Sequence, residues 1–322
     1  MTDGIKTIVI TGASSGAGRA IALAFAERGE RLILASRNEI ALDELATECW
    51  KLGAEVKIVK TDVSNYRSVI NLAAEADEFG QGIDVWINNA GVLAVGNFDA
   101  TPMEVNAQVV NTNLLGYMNG AHAVLPYFKK QKKGIIINNI SIGGFLPVPF
   151  GVAYSASKFG LRGFGAALKT ELSNFPNIHV CDAYPAFLDT PGIQHAANYT
   201  GKQLKPAPPV YDPNRIAQNI VRLAERPKSE LMIGSTSILL RLSHAVLPSL
   251  TRQISRIVIS SYLNRAQTIE TSSGNIFNTV AFGNSVHGGW GLPGKPKAHH
   301  KYIAGGLLAF ATLGLLFLSK KD

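Results

Sequence analysis

Tyr154 and Lys158 stand four residues apart in Tyr154-Ser155-Ala156-Ser157-Lys158, a spacing that puts both side chains on one face of a helix. A tyrosine ionises near pH 10 and is a poor base at neutral pH. A neighbouring ammonium favours the phenolate and lowers that value. The pair is therefore a device for moving a proton. Ser141 lies thirteen residues before Tyr154 and can position a carbonyl or hydroxyl oxygen against it. Taken alone, this spacing is common on ordinary helices. It acquires meaning from the elements that carry it.

Those elements are legible in the first 235 residues. Short β-rich runs read as strands: 5–10, 31–35, 55–60, 83–88, 134–140, 178–184 and a last one at 231–234. Several are almost wholly apolar, as strands buried on both faces must be. Helical patterns fill the intervals at 19–28, 40–52, 64–79, 103–130, 154–174 and 213–226. Strict alternation of strand and helix predicts an α/β, doubly wound parallel sheet, a Rossmann fold, with helices on both faces. Ligands of such sheets bind beyond the carboxyl ends of the strands.

The strand ends carry the unusual residues. The first strand runs into Thr11-Gly12-Ala13-Ser14-Ser15-Gly16-Ala17-Gly18 and then a helix. Glycines let the backbone turn sharply and approach a pyrophosphate, and the helix N-terminus offers N–H groups and a positive dipole end. The second strand ends in Ser36-Arg37, where an arginine suits the 2′-phosphate of NADP(H) and an acidic residue would suit NAD. Asp62, in Thr61-Asp62-Val63, either accepts a hydrogen bond from an adenine amino group or caps the helix that follows. The fourth strand ends in Asn88-Asn89-Ala90-Gly91, whose small residues permit a close approach to a ribose.

Together these residues resemble the short-chain dehydrogenase/reductase family, in its form with a core of about 250 residues. The likeness covers residues 5–235: the TGxxxGxG turn, NNAG, Asn113 in the next long helix, Ser141, and the Tyr154/Lys158 pair. The resemblance implies that Tyr154 is the acid in ketone reduction and the base in alcohol oxidation. Lys158 would lower its pKa and bind the nicotinamide ribose, Ser141 would orient the substrate oxygen, and Asn113 would hold a water behind Lys158. The implied cofactor is NADP(H), with no metal. Its expected contacts are Gly12, Ser14, Ser15, Gly16, Ala17 and Gly18, then Ser36, Arg37, Asp62, Val63, Asn89, Ala90 and Gly91. Tyr154, Lys158, Pro185 and Thr190 would flank the nicotinamide. One position departs from the family pattern: Pro185-Ala186 stands where Pro-Gly is usual, which puts the geometry of the following lid in doubt. The spacing of the glycine turn favours reductases over epimerases. The family likeness also implies a homodimer or homotetramer built through the helices near 103–130 and 154–174.

No charged side chain lies between Ile142 and Ala153, and Phe187, Leu188 and Leu93 follow other strand ends. An apolar site of this kind favours a small lipophilic carbonyl or secondary alcohol. The run 186–209 is rich in Gly, Pro and Ala and reads as a mobile lid. The alternative function is a non-catalytic, NADPH-binding sensor or membrane-recruited partner of the same fold.

The chain has 322 residues and a net charge of +8. Residues 1–235 hold 22 Lys and Arg against 21 Asp and Glu, whereas residues 236–322 hold 9 against 2. The basic excess therefore belongs to a C-terminal extension beside apolar runs, which argues for a membrane surface and against nucleic acid. Residues 236–270 predict helices interrupted at Pro248, lying either on a membrane or over the substrate site. Residues 271–301 read as a linker. Residues 302–319 are 18 long and uncharged, within the usual spanning range of about 17–25, and predict a C-terminal transmembrane helix. The catalytic domain at 1–235 would then face the cytosol. Two cysteines and the absence of a signal-peptide pattern agree with that side.

Overall fold

The computed structural model describes residues 4–206 and 209–290. In chain order the elements are β1 (Thr7–Thr11), α1 (Gly16–Ala26), β2 (Arg31–Ser36), α2 (Glu39–Lys51), β3 (Glu55–Lys60), α3 (Tyr66–Gly80), β4 (Val85–Asn88), β5 (Ala94–Val95) and α4 (Met103–Val110). There follow α5 (Gly116–Gln131), β6 (Gly134–Asn139), α6 (Val152–Glu171), β7 (Ile178–Pro185), β8 (Ala197–Asn198), α7 (Pro213–Glu225), β9 (Glu230–Ile233), α8 (Ser235–Val246) and α9 (Pro248–Arg265). Seven strands form one parallel sheet in the order β3-β2-β1-β4-β6-β7-β9. The strand order reverses at β1, so a crevice opens between the ends of β1 and β4.

Every residue of β1 and β4 is buried, because helices cover both faces of the sheet. On one face α1, α2 and α7 bury Ile21, Phe25, Leu42, Leu45, Ile216 and Ile220 against the strands. On the other, α3, α5 and α6 bury Leu72, Val124, Phe128 and Leu168 around Trp86. A polar chain crosses the sheet at the carboxyl ends of its strands. Lys169 Nζ meets Asp182 Oδ2 at 2.6 Å, and Asp182 Oδ1 accepts from Asn138 at 2.9 Å. Asn138 Oδ1 in turn accepts from Asn88 at 3.0 Å. With their hydrogen bonds made inside the core, these groups hold β4, β6 and β7 in register beneath the crevice.

Several boundaries differ from the sequence expectation. Helix α1 begins at Gly16 and not at residue 19, because the glycine turn itself supplies the first helical residues. The expected single helix 103–130 is divided by a π-helical turn at Asn111–Leu115. The run 186–209, expected as a mobile lid, is tied down in part. Its β8 pairs with β5, and bridges join Asn198 to Ser272 and Lys202 to Thr268. Pro248 separates α8 from α9 as expected. No helix among the described residues is long and apolar enough to cross a membrane. The predicted anchor at 302–319 lies outside the described residues.

Candidate active site

A cavity of about 490 Å³ opens at the carboxyl ends of the strands. All the residues expected to touch a cofactor line it: Gly12, Ser14 to Gly18, Ser36, Arg37, Asp62, Val63, Asn89 to Gly91, Tyr154, Lys158, Pro185 and Thr190. Ser141 lines it as well. Strands separated in sequence by more than a hundred residues deliver these groups to one crevice.

The glycine turn is shaped by close packing. Gly12 has φ +66°, and a Cβ there would lie 2.6 Å from Ala90 Cα. A Cβ on Gly18 would lie 2.1 Å from the Gly12 carbonyl oxygen. Asn89 staples the turn to β6: its amide donates to the carbonyls of Thr11 and Gly12, and its Oδ1 accepts from Asn139 at 2.8 Å. At the end of β2 the Arg37 guanidinium donates to the carbonyls of Asn275, Ile276 and Phe277. An arginine carries five N–H donors, so this leaves some for an anionic ligand. Asp62 does not cap α3, which begins at Tyr66 behind the N-cap Asn65. Its Oδ1 instead accepts from the backbone and hydroxyl of Ser64.

The donor set fits a nicotinamide dinucleotide. It offers a helix N-terminus behind a glycine turn, a cation at the end of β2, and buried acceptors still lacking donors. Among the described residues such orphaned acceptors include Oδ1 of Asn139 and of Asn275, both on residues lining the cavity. Buried polar atoms rarely lack partners, and ribose hydroxyls and amide or amino groups are donors of the required kind.

At the other end of the cavity Ser141 sits at φ 112°, a conformation that costs a non-glycine residue strain. Its hydroxyl accepts from Gly143 N at 3.1 Å and is hydrogen-bonded to Tyr154. Gly143 makes room for the phenol: a Cβ there would lie 3.0 Å from Tyr154 Cε1. Lys158 Nζ lies 5.6 Å from the centroid of the Tyr154 ring and 5.2 Å from that of Tyr117. Burial holds Lys158 down at about 7. Burial pushes Tyr154 above its ordinary value, with the Ser141 hydrogen bond opposing. The expected lowering of Tyr154 by Lys158 requires the ammonium form, which this burial disfavours. A desolvated lysine is neutral part of the time at pH 7, so its field on the phenol is weakened. Asn113 is fully buried outside the cavity lining: its Oδ1 accepts from Val92 N–H at 2.8 Å, and its Nδ2 donates to the Val92 carbonyl at 2.9 Å and to Ser157 Oγ at 3.3 Å. It braces the 88–92 turn from the π-helical segment.

The arrangement can hold an oxygen between Ser141 and Tyr154 and pass it a proton. The family description "short chain dehydrogenase" matches residues 6–199. The chain belongs to the short-chain dehydrogenase family. An uncharacterised oxidoreductase of Bacillus subtilis is 33% identical over 77% of this chain and 71% of its own. Mouse estradiol 17-beta-dehydrogenase 11 is 27% identical over 77% of this chain and 82% of its own. Among solved structures, an alcohol dehydrogenase from the archaeon Thermococcus sibiricus, complexed with 5-hydroxy-NADP, superposes with a TM-score of 0.62. It is 28% identical over 71% of this chain and 96% of its own.

The substrate end of this short-chain dehydrogenase is apolar, with one departure from the sequence expectation. Leu93, Leu146, Val148, Pro149 and Phe187 line the cavity as apolar walls. Phe145 does not: it is buried against Tyr184, with Arg162 and Arg241 stacked on its ring. Helix α9 supplies Val258, Ile259, Tyr262 and Leu263 to the cavity. Of the two placements open for 236–270, packing over the substrate site is the one seen for these residues. Ala186 is buried and has no positive φ, so its methyl group introduces no backbone strain. His195, Asn139 and the segment 275–284 also contribute lining residues that sequence reasoning missed. Asn139, two residues before Ser141, was within reach of that reasoning; the others come from stretches that read as lid or linker.

Proposed function

We propose that this chain is an NADP(H)-dependent oxidoreductase acting on a lipophilic carbonyl or secondary alcohol, with Tyr154 as the proton donor in reduction. The observation that carries this reading is the convergence of Ser141, Tyr154 and Lys158 on the cavity that Gly12, Gly16 and Arg37 also line. Ser141 orients the substrate oxygen, and its strained backbone keeps the hydroxyl beside the phenol. Tyr154 holds its proton at neutral pH and delivers it to that oxygen. Lys158 stands behind the phenol and is suited to return a proton, since it titrates near neutrality. When bound, the nicotinamide supplies or accepts the hydride. Arg37 and the α1 N-terminus would hold the phosphates. The solved relative was complexed with a 5-hydroxy-NADP, which supports the phosphorylated nucleotide.

The apolar walls from Leu93, Leu146, Phe187 and α9 support a lipophilic substrate. The anchor reading of 302–319 rests on the sequence alone, and the outer faces of α8 and α9 are compatible with it. Leu242, Val246 and Ile257 are exposed there beside Arg252 and Arg256. Assembly through α4, α5 and α6 rests on family likeness, and a sedimentation mass of a single chain would refute it.

The test is NADPH consumption by the purified chain against lipophilic ketones, aldehydes and quinones, with NADH in parallel. Turnover is expected with NADPH. Tyr154→Phe is expected to lower kcat by at least about a hundredfold while NADPH binding stays within about twofold. Wild type and variant behaving alike on every substrate would sink the catalytic reading and leave the sensor alternative.

A further inference from the structure

Residues 271–290 follow α9 and have no helix or strand, yet they are fastened across the domain. Asn275 N–H donates to the His195 carbonyl at 2.8 Å, and Ile276 is fully buried beside Val92, Val105 and Ala197. The carbonyls of Asn275, Ile276 and Phe277 accept from Arg37 at 2.5, 3.1 and 3.3 Å. The Val280 carbonyl accepts from Asn38 at 3.4 Å, and the Ser285 carbonyl from Gly16 N–H at 2.9 Å. Beyond them, Gly288 and Trp290 N–H both donate to Asp189 Oδ1. Two glycines make the close approach possible. Gly274 and Gly283 have φ +50° and +72°, and a Cβ on either would lie 2.3 Å from an atom of His195. This is a strap with a built seat.

The strap's fastenings are groups that the reading above gives to the cofactor. Arg37 would meet the 2′-phosphate, and Gly16 opens the helix whose N-terminus would meet the pyrophosphate. The strap does not fill the crevice between them. Asn275, Thr279, Val280 and Asn284 line the same cavity as the glycine turn, and the cavity keeps a volume of about 490 Å³. Ligand pockets span roughly 300–1,000 Å³. Asn275 Oδ1 is buried and has no donor, so the strap brings an unsatisfied acceptor to this cavity's lining.

We propose that residues 275–285 are a wall of the dinucleotide site, closing over the adenosine half of NADP(H) and orienting Arg37 toward its 2′-phosphate through the carbonyls of 275–277. This rests on the reading of the crevice as an NADP(H) site. Three carbonyls on one guanidinium fix its plane, which an exposed arginine at a strand end would lack. A bound nucleotide is then enclosed, and it leaves only when the strap lifts. The strap ends in a segment already paired to Asp189, next to the Thr190 that faces Gly16, so cofactor cover and substrate-side loop are one continuous closure.

The test uses the full chain, NADPH and its fluorescence. Gly283→Val wedges the strap away from His195 and is expected to raise the NADPH dissociation rate and the Kd by roughly tenfold or more. Asn275→Ala is expected to raise both by about threefold to tenfold, with circular dichroism and thermal midpoint close to wild type. In the wild type, hydrogen exchange of the amides of 275–288 is expected to slow on adding NADPH. Unchanged dissociation rates in folded variants, or unchanged exchange in the strap, would overturn the proposal. A lower Kd in either variant would overturn it too, because the strap would then compete with the nucleotide. If the wild type bound no NADPH at all, the cofactor reading itself would fall; binding that ignores both substitutions would remove only the strap.

Discussion

Lys158 is a buried amine with no carboxylate against it among the described residues, and this determines two behaviours. It titrates at about 7 in the folded chain against an ordinary 10.5. The unfolded chain therefore binds more protons between those values, so the desolvation penalty is full below pH 7 and shrinks as pH rises toward 10.5. Lys158→Met removes the penalty. The variant without nucleotide is expected to be more stable than wild type at pH 6.5 by roughly 1–2 kcal/mol, and the gap to narrow by pH 9.5. Its turnover is expected to collapse. Thermal melts of both proteins across that range check this, and a gap that widens with pH would refute it. Arg37 carries the other residue-scale expectation. Hydrogen bonds to charged groups contribute about 1.5–3 kcal/mol, so Arg37→Ala is expected to lower kcat/KM for NADPH at least about tenfold more than for NADH. Equal losses for both nucleotides would mean that the guanidinium serves the strap and not the phosphate.

At the scale of elements, the crevice depends on which secondary structures reach it. The ends of β1, β2, β4, β6 and β7 converge because parallel strands all point the same way, and the polar chain from Lys169 to Asn88 locks three of them. Helix α9 comes from beyond the sheet and closes the substrate end with apolar side chains. Ile259→Asp places a charge in that wall, where burial without a partner is costly. It is expected to raise KM for a lipophilic ketone by about tenfold or more and to leave NADPH affinity within about twofold. Parallel loss of both affinities would show that α9 supports the fold and not the substrate.

At the scale of the whole molecule, charge is distributed unevenly: the extension beyond residue 235 carries 9 basic against 2 acidic residues. Clustered cations near exposed apolar side chains favour anionic lipid surfaces. The full chain is expected to co-sediment with vesicles containing anionic phospholipid, and a chain ending at residue 290 to lose most of that binding. Equal binding by both, or none by either, would remove the anchor reading.

The fold class and most of the candidate site were legible from local features. A parallel strand buried on both faces is apolar over most of its length, so β1, β4 and β6 announced themselves, and a turn such as Gly12 to Gly18 needs glycine wherever backbones touch. Ser141, Tyr154 and Lys158 were readable because their spacing expresses helix and strand geometry. The tertiary structure alone decided what depends on dehydration and on distant chain. It showed Lys158 desolvated by burial, Asn113 bonded to Val92 and Ser157, and Phe145 between two arginines and packed on Tyr184. It also brought residues 258–263 and 275–285 onto the cavity. Irregular chain carries no periodicity, and its hydrogen bonds run from backbone carbonyls to partners more than two hundred residues away, so side-chain identity does not encode them.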